Sequence, residues 1–253
     1  MFLRVLFYVL TFGFSSLAAI AQNKPSPDPF YEEFESFSER RWYVSDGWTN
    51  GSHQNCYWAR QAVSDTAEDV VTLNYFAHGD GYLCSEIQTR AFFLYGTFEA
   101  RMRVEPGSGR NGAFFAYAGR VHGQPHHEID FEILTKSADE VWLNRFVNRN
   151  DFGEGGSVQS PNPTSEFHDY AFVWEPGRLR WYIDGVLVRE NSDGVPYLPM
   201  KIYFSHWAGE KNPKWLGRFR RPEGAVGLEI DRFAYTPLGS PCHFPESIVC
   251  DLK

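Results

Sequence analysis

Short runs in which every second residue is apolar recur along this chain. In 97–104 (TFEARMRV), Phe98, Ala100, Met102 and Val104 alternate with Glu99, Arg101 and Arg103. That period places the two sets on opposite faces of a strand. Residues 113–117, 128–134, 140–147, 169–175, 200–206 and 226–235 read as further strands. Residues 178–189 (RLRWYIDGVLVR) read as a hairpin, because Asp184-Gly185 has the residue types of a two-residue type I′ turn. No long helical period and no internal repeat is present. Many short strands separated by turn signals predict an all-β sandwich or barrel. Polar residues on one face of successive strands, with apolar residues on the other, predict a sheet that is core on one side and a groove on the other.

One strand departs from the ordinary mixture of polar residues. In 128–134 (EIDFEIL) every outward position up to 132 is an acid: Glu128, Asp130 and Glu132, with Ile129, Phe131 and Ile133 between them. Neighbours in such a row have Cα atoms roughly 6.6 Å apart. Carboxylates held this close repel one another, and repulsion with partial burial raises at least one pKa. Glycosidic-bond cleavage needs this division, one ionised carboxylate and one protonated acid flanking the bond. The rival readings are a solvated face and a cation site. Like charges in a row cost stability, and calcium prefers oxygens converging from several directions. The residues alone do not say which Glu plays which part.

The ends and the composition narrow the setting. Residues 1–21 have Arg4, a short apolar run and Ala19-Ile20-Ala21, the pattern of a secretory signal peptide, with an uncleaved anchor as the rival. Residues 22–36 begin with a Pro-rich polar stretch expected to be a disordered lead-in. Residues 37–238 then form the sandwich domain and 239–253 a tail. No other stretch is long and apolar enough to span a bilayer, so the mature protein is expected to be soluble and secreted or periplasmic. The formal charge of −8 argues against a nucleic-acid partner. Aromatic residues make up 17% of the chain, more than a core of this size requires, so some are available to a ligand. The four cysteines, Cys56, Cys84, Cys242 and Cys250, are an even number in an exported chain and suggest two disulfides. Sequence order favours Cys56–Cys84 and Cys242–Cys250 among the three pairings. The spacing lacks the close pairs of a zinc site.

Glu128-Ile129-Asp130-Phe131-Glu132 resembles the E-x-D-x-E signature of glycoside hydrolase family 16, in the spacing of bacterial lichenases and exopolysaccharide depolymerases. Asp46-Gly47-Trp48-Thr49-Asn50-Gly51 with Asn55-Cys56-Tyr57-Trp58, Tyr95-Gly96 through Met102, Trp181 to Gly185, Ser205-His206-Trp207 and Trp215-Leu216-Gly217 are also similar to family segments. The resemblance runs from about Phe37 to Tyr235. It implies a concanavalin-like β-jelly-roll sandwich with a concave substrate cleft, and a retaining double displacement on a β-linked polysaccharide. It further implies Glu128 as nucleophile, Glu132 as acid/base and Asp130 as their assistant. Asn50, Glu99, Arg101, Phe115, Tyr117, His126, Asn144, Phe146, Trp207 and Trp215 become candidate sugar contacts. Core packing is the rival reading for the aromatics, and a surface ion pair for Glu99 and Arg101. The Cys56–Cys84 pairing coincides with the lichenase disulfide. No cofactor is required; a structural calcium near Asp231 is compatible with the family. A monomer is expected.

The departures from the family pattern fall in the cleft. His126 and His127 stand where lichenases have Trp-Asp, Phe146 replaces a Tyr, Ser205 replaces an Asn, and Ile133-Leu134-Thr135 replaces Phe-Leu-Gly. Specificity is therefore expected to differ while the chemistry is kept. Residues 211–221 (KNPKWLGRFRR) are basic in an acidic chain and could attract an acidic exopolysaccharide, with His126 and His127 as donors; a solvated loop is the rival. Transglycosylation on the same scaffold and a lectin-like binding protein are the competing functions.

Overall fold

The alternating strands assemble as two stacked sheets, and a computed structural model describes residues 28–66, 69–148, 150–151 and 155–252 of the chain. In chain order the strands begin with β1 (Phe30–Glu32), β2 (Trp42–Val44), β3 (Tyr57–Trp58), β4 (Val63–Thr66), β5 (Val70–His78) and β6 (Gly81–Thr89). Then come β7 (Gly96–Val104), β8 (Arg110–Ala118), β9 (His127–Leu134), β10 (Glu140–Val147), β11 (Asn150–Asp151) and β12 (Gly156–Gln159). The last are β13 (His168–Glu175), β14 (Arg178–Ile183), β15 (Val186–Asn191), β16 (Lys201–Ala208) and β17 (Val226–Thr236). One helical turn, α1 (Pro213–Leu216), follows β16.

The inner sheet runs β2–β6–β16–β8–β9–β10, with β11 and β12 on β10. The outer sheet runs β4–β5–β17–β7–β13–β14–β15, with β1 on β17. The β5–β6 hairpin joins the two. Each strand contributes one face to a single core. Ile129, Phe131 and Ile133 of β9 meet Phe98, Phe172, Tyr170 and Trp181 of the outer sheet there, all fully buried. Phe114 stacks on Phe204, Phe172 and Phe131 at 5.1–6.0 Å between ring centroids. Aromatic and β-branched side chains on pleated strands fill this layer, and their burial is the main stabilising term.

The turn at Asp184-Gly185 has φ of 50° and 75°, the two left-handed residues that a type I′ turn demands. Asp184 also ties the turn to β13, since its carboxylate accepts from His168 Nδ1 (2.7 Å) and from the backbone N–H of Asp169 (3.0 Å). The disulfides are Cys56–Cys84 and Cys242–Cys250.

Several expectations change. Strands β5 and β6 fall in a stretch whose alternation is blurred by paired apolar residues, and they were not anticipated. Residues 30–32, inside the expected lead-in, pair with β17, because Phe30 packs on Trp42, Phe93 and Phe233. The expected signal segment 1–21 lies outside the described residues. The tail after β17 folds back over the outer sheet, where Ile248 and Leu252 cover Ala171, Val173 and Tyr182.

Candidate active site

The outward face of the inner sheet is concave and lined by polar and aromatic side chains, enclosing a cleft of about 700 Å³. Its floor follows from strand register. Directly opposed residues share a face, so three rows cross the sheet. Glu86, Ser205, Ala113 and Glu132 form one; Gln88, Tyr203, Phe115 and Asp130 the next; Lys201, Tyr117 and Glu128 the third. The three acids of β9 thus belong to three parallel rows, which continue onto β10, and all three line the cleft.

Their environments differ. Asp130 is buried, with 5% of its surface exposed, and burial beside the charges of Glu128 and Glu132 raises its pKa well above the usual carboxylate range. Glu132 is pushed up to about 8, by removal from water and then by the charge of Glu128, against a hydrogen bond that favours its ionised form. That bond comes from Asn111 Nδ2 to Glu132 Oε1 at 3.0 Å. Glu128 pairs instead with His126, whose Nε2 lies 2.6 Å from Glu128 Oε2. Among the described residues, no Arg or Lys forms an ion pair with any of the three acids. A fourth carboxylate, Glu86, accepts from Ser45 Oγ at 2.6 Å and is raised to about 7, by burial and by Glu128.

The walls come from loops held by close backbone contacts. Asn55 N–H donates to Ala208 O (2.9 Å), and a Cβ on Gly209 would overlap His53 O. Only glycine permits that approach, which sets Trp48, Asn50 and His53 along one wall. The His53 ring meets Trp207 edge-on at 5.5 Å. Opposite, Phe115 stacks on Tyr203 (4.9 Å), and Tyr117 meets His126 (5.5 Å). His122 accepts from Gly119 N–H at Nδ1, so Nε2 carries the hydrogen and donates to Tyr203 OH at 3.1 Å. Tyr203 OH and Lys201 Nζ both donate to Gln88 Oε1 (3.2 and 3.1 Å).

Of the residues expected here, the structure brings together Glu128, Asp130, Glu132, Asn50, Phe115, Tyr117, His126 and Trp207. Asn144 shares the face of Asp130, but its side chain lies beneath Gly155 and accepts from Arg145 N–H. Phe146 lies behind the His126 ring, stacked at 5.0 Å. Trp215 sits on α1, 6.2 Å from Trp207, and does not reach the floor. His127 points to the other side of β9, buried, where it accepts from Tyr197 N–H.

Glu99 and Arg101 require the main correction. They lie on β7, in the outer sheet, and face away from the cleft. Glu99 accepts from Ser247 Oγ and from Ile248 N–H (2.8 Å), anchoring the tail. Arg101 pairs with Asp169 (3.2 Å) and Asp231 (3.3 Å). Asp231 also meets Arg232 at 3.4 Å. Two guanidinium groups beside that carboxylate repel a cation, so these residues do not fit a calcium ion. Among the described residues no group of three or more His, Cys, Asp or Glu side chains could hold a metal. Sequence reasoning missed Glu86, Gln88, Asn111, His122, Lys201 and Tyr203. Glu86 and Gln88 had a usable signal, because they flank Ile87 at a two-residue period.

Fold and site together define a carbohydrate-active β-sandwich, with an acid row at the floor of an aromatic groove. The comparisons with known proteins agree. The profile of Glycosyl hydrolases family 16 matches residues 50–221, and the chain belongs to this family. It is 40% identical to the endo-1,3-1,4-beta-glycanase ExoK of Rhizobium meliloti (strain 1021), over 88% of this chain and 84% of that protein. It is 33% identical to a beta-glucanase of Paenibacillus polymyxa, over 88% of this chain and 92% of that one. Among solved structures, a β-1,3-1,4-glucanase (lichenase) from a mouse hindgut metagenome superposes with a TM-score of 0.79 at 31% identity, covering 83% of this chain and 99% of the other.

Proposed function

We propose that this protein is an exported, endo-acting, retaining β-glycan hydrolase. The observation that carries the proposal is the electrostatic asymmetry of β9: Glu132 held protonated to about pH 8, four residues from a Glu128 whose charge helps hold it there. In the first step Glu132 gives its proton to the glycosidic oxygen while a Glu128 oxygen attacks the anomeric carbon. The carbon–oxygen bond breaks, the leaving chain departs as an alcohol, and a glycosyl ester remains on Glu128. In the second step ionised Glu132 takes a proton from water, the water oxygen attacks the same carbon, and Glu128 leaves as a carboxylate. Buried Asp130 lies between the two, its own pKa raised by burial and by their charges. Stacking faces on Trp207, Phe115, Tyr117 and Trp48, in a cleft made by one chain, suit a polymer bound along its length. The names of the relatives favour a β-1,3-1,4-linked glucan type of backbone.

One observation favours an acidic version of that polymer. Lys211 lies close enough to His53 to lower its pKa, after burial. The exposed basic segment 211–221 therefore borders the Trp207 end of the cleft. The test is loss of chain length across mixed-linkage β-glucan, laminarin, xyloglucan and acidic bacterial exopolysaccharides, with the wild type and Glu132→Ala. Glu132-dependent shortening of one or more supports the reading, and preference for the acidic polymers supports its finer form. A folded wild type that shortens none overturns it. Transfer to added oligosaccharide, in place of release of new reducing ends, would identify a transglycosylase.

A further inference from the structure

His126 lines the cleft with its ring nitrogen against Glu128. Its Nε2 and Glu128 Oε2 are 2.6 Å apart, a charge-assisted distance. An ionised carboxylate only accepts, so the imidazole donates from Nε2. The ring has little freedom to leave. It is stacked on Phe146 at 5.0 Å and 17°, and Phe146 is the residue directly opposite Glu128 in the β9–β10 register. Tyr117, opposite Glu128 on the β8 side, closes the other flank at 5.5 Å and 61°. One carboxylate is thus gripped at one oxygen by a donor that two neighbouring strands hold in place.

We propose that His126 is a positioning residue for Glu128, one that speeds release of the sugar from the glycosyl-enzyme. This rests on the assignment of Glu128 as nucleophile. The donor engages Oε2 and leaves Oε1 for the anomeric carbon. When Oε1 bonds to carbon, Oε2 becomes an ester carbonyl and the hydrogen bond weakens. When water displaces the sugar, the carbon–Oε1 bond breaks, its electron pair returns to the carboxylate, and the bond to Nε2–H regains full strength. A donor that prefers the carboxylate over the ester lowers the barrier to the second step. His126 therefore acts on the rate at which the intermediate breaks down, whereas a sugar-contacting residue would act on binding.

The test compares wild type, His126→Ala and His126→Gln on a dinitrophenyl β-glycoside of a mixed-linkage gluco-oligosaccharide, a leaving group good enough to make the second step limiting. His126→Ala is expected to lower kcat and KM together, each on the order of tenfold, leaving kcat/KM within about threefold. Intact-protein mass spectrometry should show more glycosyl-enzyme at steady state. His126→Gln, which retains an N–H donor, should recover kcat to within about threefold of wild type. A raised KM with unchanged kcat would make His126 a sugar contact and overturn the proposal. So would a Gln variant no better than Ala, or no gain in intermediate. If the wild type itself forms no sugar adduct on Glu128, it is the nucleophile assignment that has failed, and the inference falls with it.

Discussion

Strands β7 and β9 carry the same kind of pattern, charged residues alternating with core residues, yet they do opposite things. On β7, Arg101 and Arg103 reach across to Asp169, Asp231 and Glu229 on neighbouring strands. Each is a half-exposed ion pair of the kind that contributes at most about 1 kcal/mol. On β9, Glu128 pairs with His126 and Glu132 accepts from Asn111, and no Arg or Lys pairs with any of the three acids among the described residues. The convex face neutralises its charges; on the concave face burial and the charge of Glu128 raise Asp130 and Glu132. Alternation shows that a strand has a polar face. The partner across the strand shows whether that face is a surface or a site.

The comparison breaks most readily at Glu132. Glu132→Ala should reduce polysaccharide turnover by about a thousandfold with an unchanged circular dichroism spectrum. Arg101→Ala, on the matching alternation of β7, should stay within about twofold of wild type. Reducing-end assays on both variants check this, and comparable losses would erase the distinction between the faces.

The next effect is in pH. An acid that must be protonated works below its pKa, so kcat/KM should fall as pH rises through about 8. Asn111 donates to the ionised form of Glu132 and holds its pKa down. Asn111→Ala should therefore move the alkaline limb of the pH–rate profile upward. A downward move would contradict the geometry.

Stability gives a smaller signal with a definite sign. The fold favours protonated Glu132, so the unfolded chain binds fewer protons between its ordinary pKa of 4.5 and about 8. The stabilisation is complete below 4.5 and is lost as pH rises through that window. Glu132→Gln removes the loss. Its melting temperature should exceed that of the wild type by a few degrees at pH 8, and by about zero at pH 4.5. Smallest of all, Arg103→Ala should cost less than about 1 kcal/mol in denaturant unfolding and change no rate.

Much of this was legible from sequence because alternation reports on burial directly. The sandwich, the Asp184-Gly185 hairpin and the acid row follow from local pattern, whereas the disulfide pairing was only favoured by sequence order among three possibilities, with the family resemblance supporting Cys56–Cys84. What was not legible is which sheet a strand joins. Glu99 and Arg101 had a suitable pattern, and β7 carried them to the convex face. Trp215 sits on the single helical turn that Asn212-Pro213 begins, beside Trp207 and outside the lining of the cleft. Glu86 and Gln88 carried a two-residue period around Ile87, but the buried Cys84 and Ser85 just before them blur the alternation of β6. His127 and His126 are adjacent, and the two-residue period alone sends one to the core and the other to Glu128.

The most direct measurement is the identity of the residue that carries the sugar. The protein is incubated with a 2-deoxy-2-fluoro gluco-oligosaccharide bearing an activated leaving group, which slows the second step more than the first. It is then digested and mapped by mass spectrometry. The account predicts one adduct, on Glu128. An adduct on Glu132 or Asp130, or an active enzyme that forms none, would contradict it.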